Sequence, residues 1–481
     1  MAEIRTQHYR QAARKALGDT HLQDALKSLQ NRLGKGALAA YENLPEGPEL
    51  RWTAHEIRRH AMENLDLLLE ALAEKIRHRG GQVHFAADAD EANQMVIDIA
   101  RRHQVKLAVK GKSMLSEEIG LNKRLEAVGI ETVETDLGEY IVQLAGDHPS
   151  HIIAPAIHFT RDQVGRLFAE KLGCAYSDDP PTLTQIARKA LRQKFLAADM
   201  GISGCNIACA ETGHITTVSN EGNIRMAATL PRVHVALMGM ERITARLSDH
   251  DSLLRLLTRG AAAQNMAAYV SYIGGPRQPG ESDGPREFHL VIIDNGRSRI
   301  LADPQFREIL YCIRCGGCLN VCPVYAKIGG HAYGYPYSGP IGAVVTPLLV
   351  GINRAADLCL GESLCGACHD VCPVAIDHPR MLLALRGKLA EGDPVWDVRP
   401  HHTTETVLYR LWSWAISDRR RYDGMLAVAA AAQKLMPHRR GMIRRLPPPL
   451  AGWTQQRDIR PLATETFSKR WKRVLAKTEN R

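Results

Sequence analysis

The chain has 481 residues, 45% of them hydrophobic and 24% charged, and a net charge of +10. Single cores seldom grow to this length, so we expect two or three domains. No stretch offers about 18 uninterrupted apolar residues, which excludes a membrane-spanning helix, and the N-terminal MAEIRTQHYRQAARKAL lacks the apolar core of a signal peptide. We therefore expect a cytoplasmic protein.

The positive charge is concentrated in the C-terminal segment. Residues 401–481 hold 17 Lys and Arg against 6 Asp and Glu, so the first 400 residues are nearly neutral. Such a segment can bind nucleic acid, an anionic membrane surface or an acidic partner, or can dock on its own protein. Nucleic acid is the least supported of these, because no helix-turn-helix, zinc-finger or RNA-recognition motif accompanies the charge. Peripheral membrane association through the basic tail stays open.

The first 300 residues are predicted to be an α/β region that follows a helical start. Residues 1–43 are typical of helices, and AHEIRRHAMENLDLLLEALAEKIRHRG has the 3.6-residue period of one long helix ending at Gly80. Predicted strands then alternate with amphipathic helices, which indicates a mainly parallel sheet. These strands are QVHFAA, VKLAVK, IETVET and HIIAPA; the helices centre on EANQMVIDIARRH, SEEIGLNKRLEAV and RDQVGRLFAEKL. After a helix in LTQIARKALRQKFLAAD, the predicted strands are HITTVS, RMAATL, VHVALMG, AAYVSYI and HLVIID.

Composition divides the chain into four segments. We expect a helical segment at 1–50, an α/β domain at 51–302, a cysteine-rich domain at 303–395 and the basic segment at 396–481. A helix, MLLALRGKLAEG, follows the cysteines, and the prolines at 447–449 predict an extended stretch.

Eight of the eleven cysteines lie between residues 308 and 378 and form two related motifs. Cys312, Cys315, Cys318 and Cys322 have the C-x2-C-x2-C-x3-C-P spacing of bacterial ferredoxins. Cys365, Cys368 and Cys372 repeat its last three positions. Disulfides are disfavoured without an export signal, and structural zinc usually shows two separated C-x2-C pairs. The spacing therefore predicts two [4Fe–4S] clusters.

The ferredoxin spacing also predicts which cysteines share a cluster, because the fourth cysteine of each motif ligates the other cluster. The first cluster then has Cys312, Cys315, Cys318 and Cys372, and the second has Cys322, Cys365 and Cys368. The usual position of its last ligand is occupied by Glu362. Ligand counting favours Cys359, three residues further upstream and within roughly 10 Å of chain reach.

The other cysteines and histidines carry weaker signals. We interpret Cys174, Cys205 and Cys209 as buried small side chains, since they lack companions at metal-ligand spacing. His214 is a lone histidine. The chain also lacks a G-x-G-x-x-G after a strand and a G-x4-G-K-[ST] motif, so it offers no recognised nicotinamide, flavin or P-loop site.

Several stretches, in the same order along nearly the whole chain, resemble the lactate utilisation protein B family. They are KGKSMLSEEIGLN, ETDLGEYIVQLAGDHPSHIIAPAIH, AETGHI, GPRQPGESDGP, DNGRSRILA, CIRCGGCLNVCPVY, GGHAYGYPYSGPIGAV, SLCGACHDVCPV and LPPPLAGWTQQRD. The resemblance implies an α/β LUD domain of the NagB/CoA-transferase type and a helical, ferredoxin-like domain with two [4Fe–4S] clusters. The family commonly has seven cluster cysteines and a proline where Cys359 stands. The resemblance thus leaves the role of Cys359 open.

The resemblance also implies a function. Family members act with a protein of cysteine-rich repeats and a stand-alone LUD protein to oxidise L-lactate to pyruvate. We therefore expect an iron–sulfur electron-transfer subunit, an oxidoreductase component that is inactive alone. The alternatives are a subunit for another 2-hydroxy acid, such as glycolate or D-lactate, and a redox-sensing scaffold protein. Departures from the family pattern occur at Cys205 and Cys209 and at His214, where threonine is common.

Overall fold

A computed structural model describes residues 3–400, 403–448, 450–455 and 457–479. Contacts group the chain into two compact units, Met1–Arg399 and Pro400–Arg481. In the described ranges no helix is long and apolar enough to cross a membrane.

Two sheets organise the first unit. Its strands are β1 (Gln82–Ala86), β2 (Leu107–Lys110), β3 (Glu131–Glu134), β4 (Met200–Gly204), β5 (Ile207–Cys209), β6 (His214–Ser219), β7 (Val233–Gly239), β8 (Ile243–Thr244), β9 (Tyr269–Ile273) and β10 (Glu287–Ile293). Six of them form a sheet in the order β1-β10-β7-β4-β2-β3, with every pair parallel. The others form a mixed sheet in the order β8-β5-β6-β9. The predicted α/β fold with a mainly parallel sheet is confirmed.

Helices cover the sheet and make up most of the remaining first unit. They are α1 (Tyr9–Leu17), α2 (Thr20–Leu29), α3 (Lys35–Glu42), α4 (Gly47–Glu63), α5 (Leu65–His78), α6 (Ala89–Arg102), α7 (Met114–Ile119), α8 (Leu121–Glu126), α9 (Leu137–Leu144), α10 (Arg161–Leu172), α11 (Pro180–Ala197), α12 (Asn223–Thr229), α13 (Leu247–Ala262), α14 (Arg297–Ala302), α15 (Gly317–Val321), α16 (Tyr325–Ile328), α17 (Gly339–Val350), α18 (Ala356–Gly361), α19 (Ala367–Asp370) and α20 (His378–Glu391). The long helix predicted before Gly80 is two helices, because the backbone leaves helical geometry at Asn64. The helix predicted in SEEIGLNKRLEAV is likewise divided by Gly120, which adopts a φ of +68°.

Two strand predictions are wrong. HIIAPA is a loop, because the His151 ring accepts hydrogen bonds from the backbone N–H groups of Ile153 and Ala154 and folds the chain back. RMAATL belongs to helix α12. Ile224, Ala227 and Ala228 are its buried side chains, and their i, i+3, i+4 spacing is helical.

The cysteine-rich segment shares a core with the α/β region. One continuous apolar cluster joins Leu26 and Leu29 of α2, Leu72 and Ile76 of α5, Leu290 of β10 and Leu319 of α15. The two faces of the parallel sheet carry smaller cores of their own around Val96 and Phe168. The division of residues 1–395 into three segments stays a prediction, since the structure packs them around common apolar side chains.

His234 is a buried histidine on β7, and we expect it to make stability depend on pH. Its Nε2 lies 2.8 Å from the Ser203 hydroxyl, and burial, with a smaller effect of His289, lowers its pKa to about 3. An unfolded histidine has a pKa of about 6.5, so between these values the unfolded chain binds a proton that the folded chain does not. The free energy of unfolding should therefore decrease as the pH falls below about 6.5, by up to about 1.4 kcal/mol per pH unit.

Urea unfolding between pH 7 and pH 5 tests this expectation. His234→Asn should flatten the loss of stability on acidification, whereas replacement of the exposed His21 by asparagine should leave it unchanged. If the free energy of unfolding changed equally with pH in the wild-type protein and in His234→Asn, His234 would not be a source of the pH dependence.

The second unit contains three helices and a short hairpin in its described residues. The helices are α21 (Thr403–Ile416), α22 (Arg419–Ala432) and α23 (Phe467–Glu479), and the hairpin pairs β11 (His438–Arg439) with β12 (Met442–Ile443). Trp412, Trp414, Trp453 and Trp471 are exposed, and Arg421 lies over the Trp414 ring at 4.6 Å. Pro449, the last residue of the predicted extended stretch, lies outside the described residues.

Candidate metal centre and adjoining cavity

The two cysteine motifs adopt the same backbone conformation fifty residues apart. Cys312 directly follows a 3₁₀-helix that ends at Tyr311, and Glu362 directly follows α18. Two residues later, Arg314 and Leu364 have φ values of +60° and +56°. Gly316 and Gly366 follow the next cysteine with φ values of +74° and +86°, and each precedes a short helix, α15 or α19. The predicted sequence repeat is therefore also a structural repeat.

Backbone N–H groups point at the sulfur atoms of the first motif. The N–H of Arg314 donates to Cys312 Sγ at 3.3 Å, that of Gly317 to Cys315 Sγ at 3.5 Å and that of Tyr325 to Cys322 Sγ at 3.4 Å. Gly260 of α13 lies so close that a Cβ there would come within 3.0 Å of Cys315 Sγ. Donors of this kind stabilise negatively charged sulfur.

The motif thiols are largely buried, and no disulfide joins them in the described structure. Burial raises the pKa of Cys368 and of Cys372 to about 12 each, and it raises those of Cys315, Cys318 and Cys322 as well. Thiolates in such surroundings need a cation to compensate their charge. Buried thiols with N–H donors at their sulfur atoms, placed by a ferredoxin spacing, fit iron–sulfur clusters.

The structure places the fourth cysteine of each motif beside the other motif. Burial raises the pKa of Cys315, and the proximity of Cys372 and Cys312 raises that pKa further, so these three thiols are neighbours. Cys322 Sγ lies 3.5 Å from Glu362 Oε2 in the second motif. Helix α15 packs against α19, so the two short ligand helices are neighbours. This arrangement agrees with the exchange of fourth ligands that the sequence predicts, and the seven-cysteine assignment remains a prediction.

Cys359 lies in the apolar core where α18 packs against α17. It lies inside α18 and is fully buried, and its Sγ contacts the carbonyl oxygens of Ala343 and Ala355 at 3.9 and 4.0 Å. These contacts are those of a buried thiol that donates to backbone carbonyls.

Helix α4 holds the second motif and the α/β region together. Arg51 Nε donates to the carbonyl of Cys372 at 2.7 Å, and its Nη2 donates to that of His369. One turn further along, His55 contacts the carbonyl of Val374 at 3.0 Å. The next turn brings Arg58, which donates to four backbone carbonyls on both sides of the junction.

A cavity of about 230 Å³ lies at the carboxyl ends of the parallel strands. Residues that follow β2, β4, β7 and β10 line it, among them Lys112, Ser113, Cys205, Asn206, Glu241, Arg242 and Arg297. The ligand loop of the first cysteine motif contributes Arg314, and Tyr337 completes the wall. Open α/β sheets bind ligands at this edge, and here the cysteine loop forms one side of the crevice.

Basic side chains outnumber acidic ones in the part of the wall nearest the cysteine loop. Arg297 has two carboxylate partners, since it contacts both oxygens of the buried Glu118 at 2.9 and 2.7 Å and Glu241 at 2.8 Å. Arg242 and Arg314 reach Glu241 only at 3.9 and 3.7 Å. Burial raises the pKa of Glu241, but these arginines outweigh it and hold the pKa at about 2. One arginine charge is therefore left without a close carboxylate.

Arg242 also contacts the first cysteine motif, to which Arg314 itself belongs. Arg242 Nη1 donates to the carbonyl of Cys312 at 3.0 Å, and the Arg314 guanidinium stacks 4.0 Å from the centre of the Tyr337 ring. Among the described residues, the buried Arg314 Nη1 atom has no hydrogen-bond partner. A small movement of this side chain, which lines the cavity, would let the donor bind an anion there.

The remaining sequence candidates are spread over the fold. Cys209 is buried in β5, and Cys205 lines the cavity, where burial raises its pKa to about 12. His214 lies half-buried against Tyr272. Cys174 is half-buried in the loop after α10.

Sequence reasoning missed the arginines of the cavity. Arg242 lies three residues after the predicted strand VHVALMG and Arg314 lies inside the first motif, but neither position signals that the two side chains approach the same carboxylate. Their meeting depends on the packing of the cysteine loop against the sheet edge.

Comparisons with known proteins agree with these features. The model of the LUD domain matches residues 69–293, and that of the 4Fe-4S dicluster domain matches residues 308–376. Lactate utilization protein B of Macrococcus caseolyticus is 43% identical over 96% of this chain and 96% of its own length. The proteins of the same name from Bacillus licheniformis and Bacillus cereus AH820 are 43% and 44% identical over 95% and 93% of this chain, and over 94% and 93% of their own lengths. A solved duf162 family protein from Deinococcus radiodurans aligns with 48% of this chain and 98% of its own, at 13% identity and a TM-score of 0.27, which supports no structural argument. On this evidence the chain belongs to the lactate utilization protein B family.

Proposed function

We propose that this chain is the iron–sulfur electron-transfer subunit of a multi-subunit complex that oxidises L-lactate to pyruvate. Two [4Fe–4S] clusters, held by Cys312, Cys315, Cys318 and Cys372 and by Cys322, Cys365 and Cys368, would supply one-electron transfer. The names of the relatives and the matches to both domain models support this assignment. A cysteine-rich-repeat protein and a stand-alone LUD protein are the expected partners.

The observation that carries the proposal is the basic cavity closed by the first cysteine loop. Lactate and pyruvate each bear one carboxylate, and a guanidinium with free N–H groups is the side chain best shaped to bind one. Arg314 lines the cavity from the ligand loop itself, and its buried Nη1 is a donor without a partner among the described residues. A carboxylic acid bound there would lie beside the first ligand loop. The two-electron acceptor for its oxidation would belong to a partner subunit, because this chain is expected to be inactive alone, and single electrons would then enter the first cluster.

The exposure of the second motif supports electron exit on the other side. Cys365 is exposed, whereas Cys315, Cys322, Cys368 and Cys372 are buried. The second cluster would therefore be the one closer to solvent and to an electron-accepting partner. The order of transfer would run from the cavity to the first motif and then to the second.

Two alternatives make different predictions. A complex that oxidises glycolate or D-lactate would use the same carboxylate-binding cavity. A redox-sensing scaffold would instead use the basic segment at 396–481, with binding to nucleic acid that weakens steeply as salt rises.

Growth of a deletion strain on each 2-hydroxy acid tests the proposal. The strain should fail on L-lactate and recover when complemented with the wild-type gene. Arg314→Gln should recover growth poorly, because a neutral amide binds a carboxylate at least about tenfold more weakly than a guanidinium does. Replacement of the exposed Arg225 by glutamine serves as the matched control.

Iron analysis of the Arg314→Gln protein separates loss of the cavity from loss of a cluster. Normal growth of the deletion strain on L-lactate would contradict the proposed substrate. Normal growth together with tight binding of the purified protein to DNA or RNA at low salt would favour the sensing alternative.

A further inference from the structure

The second cysteine motif has a carboxylate where the first has a thiolate. We propose that Glu362 is the fourth protein ligand of the second iron–sulfur cluster. The inference rests on the proposed function only in that the clusters must bind, and it goes beyond the seven cysteines assigned above.

The backbone repeat puts Glu362 in the position of Cys312. Both residues have extended backbone immediately after a helix, with φ values of −82° and −55°. From each, the chain passes through a residue of positive φ to a cysteine, then through a glycine of positive φ to a short helix that carries the next cysteine. Equivalent backbone positions direct equivalent side chains, so the Glu362 side chain starts where a motif cysteine would.

The Glu362 carboxylate is directed at the second ligand set. Its Oε2 lies 3.5 Å from Cys322 Sγ, the ligand that the first motif contributes to this cluster. The residue is only 7% exposed. A buried carboxylate beside buried thiols is stabilised when all of them share a cation.

Neighbouring groups fix the carboxylate in this orientation. The Tyr333 hydroxyl donates to Glu362 Oε1 at 2.8 Å, which leaves Oε2 on the cysteine side. Arg386 Nη2 donates to the Glu362 carbonyl at 2.7 Å, and its Nε donates to the Cys359 carbonyl at 2.8 Å. A ligating carboxylate that is itself hydrogen-bonded is the usual arrangement around a metal.

The alternative ligand, Cys359, is held elsewhere. Its thiol contacts the carbonyls of Ala343 and Ala355 within a helical core, and the same Arg386 fixes its backbone. A Cβ added at Gly361 would come within 2.3 Å of the Tyr9 hydroxyl, so the turn between Cys359 and Glu362 is tightly enclosed. The Cys359 sulfur would have to leave these two carbonyls to reach the cluster.

Metal analysis and electron paramagnetic resonance of anaerobically reconstituted variants test the proposal. Glu362→Ala should lose about one of about eight irons per chain and change only the second-cluster signal. Cys359→Ser should keep the iron content and spectrum of the wild-type protein. Glu362→Cys should bind the full complement of iron and shift the second-cluster midpoint potential, because a thiolate then replaces an oxygen ligand. Tyr333→Phe should keep the iron and lower that potential.

Two outcomes would overturn the assignment. The first is a Glu362→Ala protein with the iron content and spectrum of the wild type. The second, which applies even if Glu362→Ala fails to fold, is a Glu362→Cys protein whose second-cluster signal and potential equal those of the wild type. A wild-type chain that binds no iron would instead contradict the proposed function.

Discussion

Cys372→Ser is expected to lose the first cluster and to retain the second, although Cys372 belongs to the second motif. Its thiol is close enough to Cys315 of the first motif to raise the pKa of that thiol beyond the effect of burial, and Arg51 donates a hydrogen bond to its carbonyl. About four of about eight irons should remain after reconstitution. The remaining paramagnetic signal should equal that of Cys318→Ser and differ from that of Cys365→Ser, and spectra of the three reduced proteins provide the measurement.

Cys174→Ser is the control for this series, because Cys174 lies in the loop after α10, in the α/β region. That variant should keep both signals. If Cys372→Ser and Cys365→Ser lost the same signal, the exchange of fourth ligands between the motifs would be wrong.

Arg58→Met is expected to cause the largest loss of stability among single substitutions outside the cysteine motifs. The Arg58 side chain is buried and donates to the carbonyls of Glu241 and Ile243 at the sheet edge and to those of Leu310 and Tyr311 before the first motif. Methionine fills a similar volume but leaves these acceptors without donors. We expect the unfolding free energy to fall by roughly 3–5 kcal/mol, a large part of the 5–15 kcal/mol typical of domains.

Urea unfolding of the reconstituted protein, followed by circular dichroism, measures this effect. Arg59→Met is the matched control, since Arg59 is the adjacent residue on the exposed face of α4 and pairs with Glu56 and Glu63 on its own helix. It should unfold close to the wild-type urea concentration. Equal midpoints for the two variants would show that Arg58 does not join the two regions.

Five of the six strands of the parallel sheet were predictable because they carry strong local signals, whereas β4, with the sequence MGISG, was missed because two glycines and a serine interrupt its apolar run. Continuous apolar runs such as VHVALMG and HLVIID, separated by amphipathic helices, indicate buried parallel strands without any knowledge of tertiary contacts. HIIAPA has the same local composition, but the ring of His151 captures two backbone donors and makes it a loop. The strand prediction for RMAATL is wrong because the helical spacing of the buried side chains begins at Ile224, just before this six-residue stretch.

The candidate site was also predictable only in part. The cysteine motifs were predictable because iron–sulfur ligands must lie close together in sequence to wrap one cluster. Ligand counting favours Cys359 because chain reach permits it, whereas its thiol in the structure contacts the carbonyls of Ala343 and Ala355, and its role stays a prediction. Tertiary packing determines the roles of Arg314, Arg242 and Glu362. Residues near them in the sequence do not show which elements pack together.

The central claim is that L-lactate supplies electrons to the two clusters of this chain within its complex. The most direct measurement is electron paramagnetic resonance of the native complex, purified without oxygen, before and after addition of L-lactate. We expect about eight irons in this chain and the appearance of reduced-cluster signals with L-lactate. A complex whose clusters are reduced by dithionite but not by L-lactate would contradict the claim, as would a chain that holds zinc and no iron.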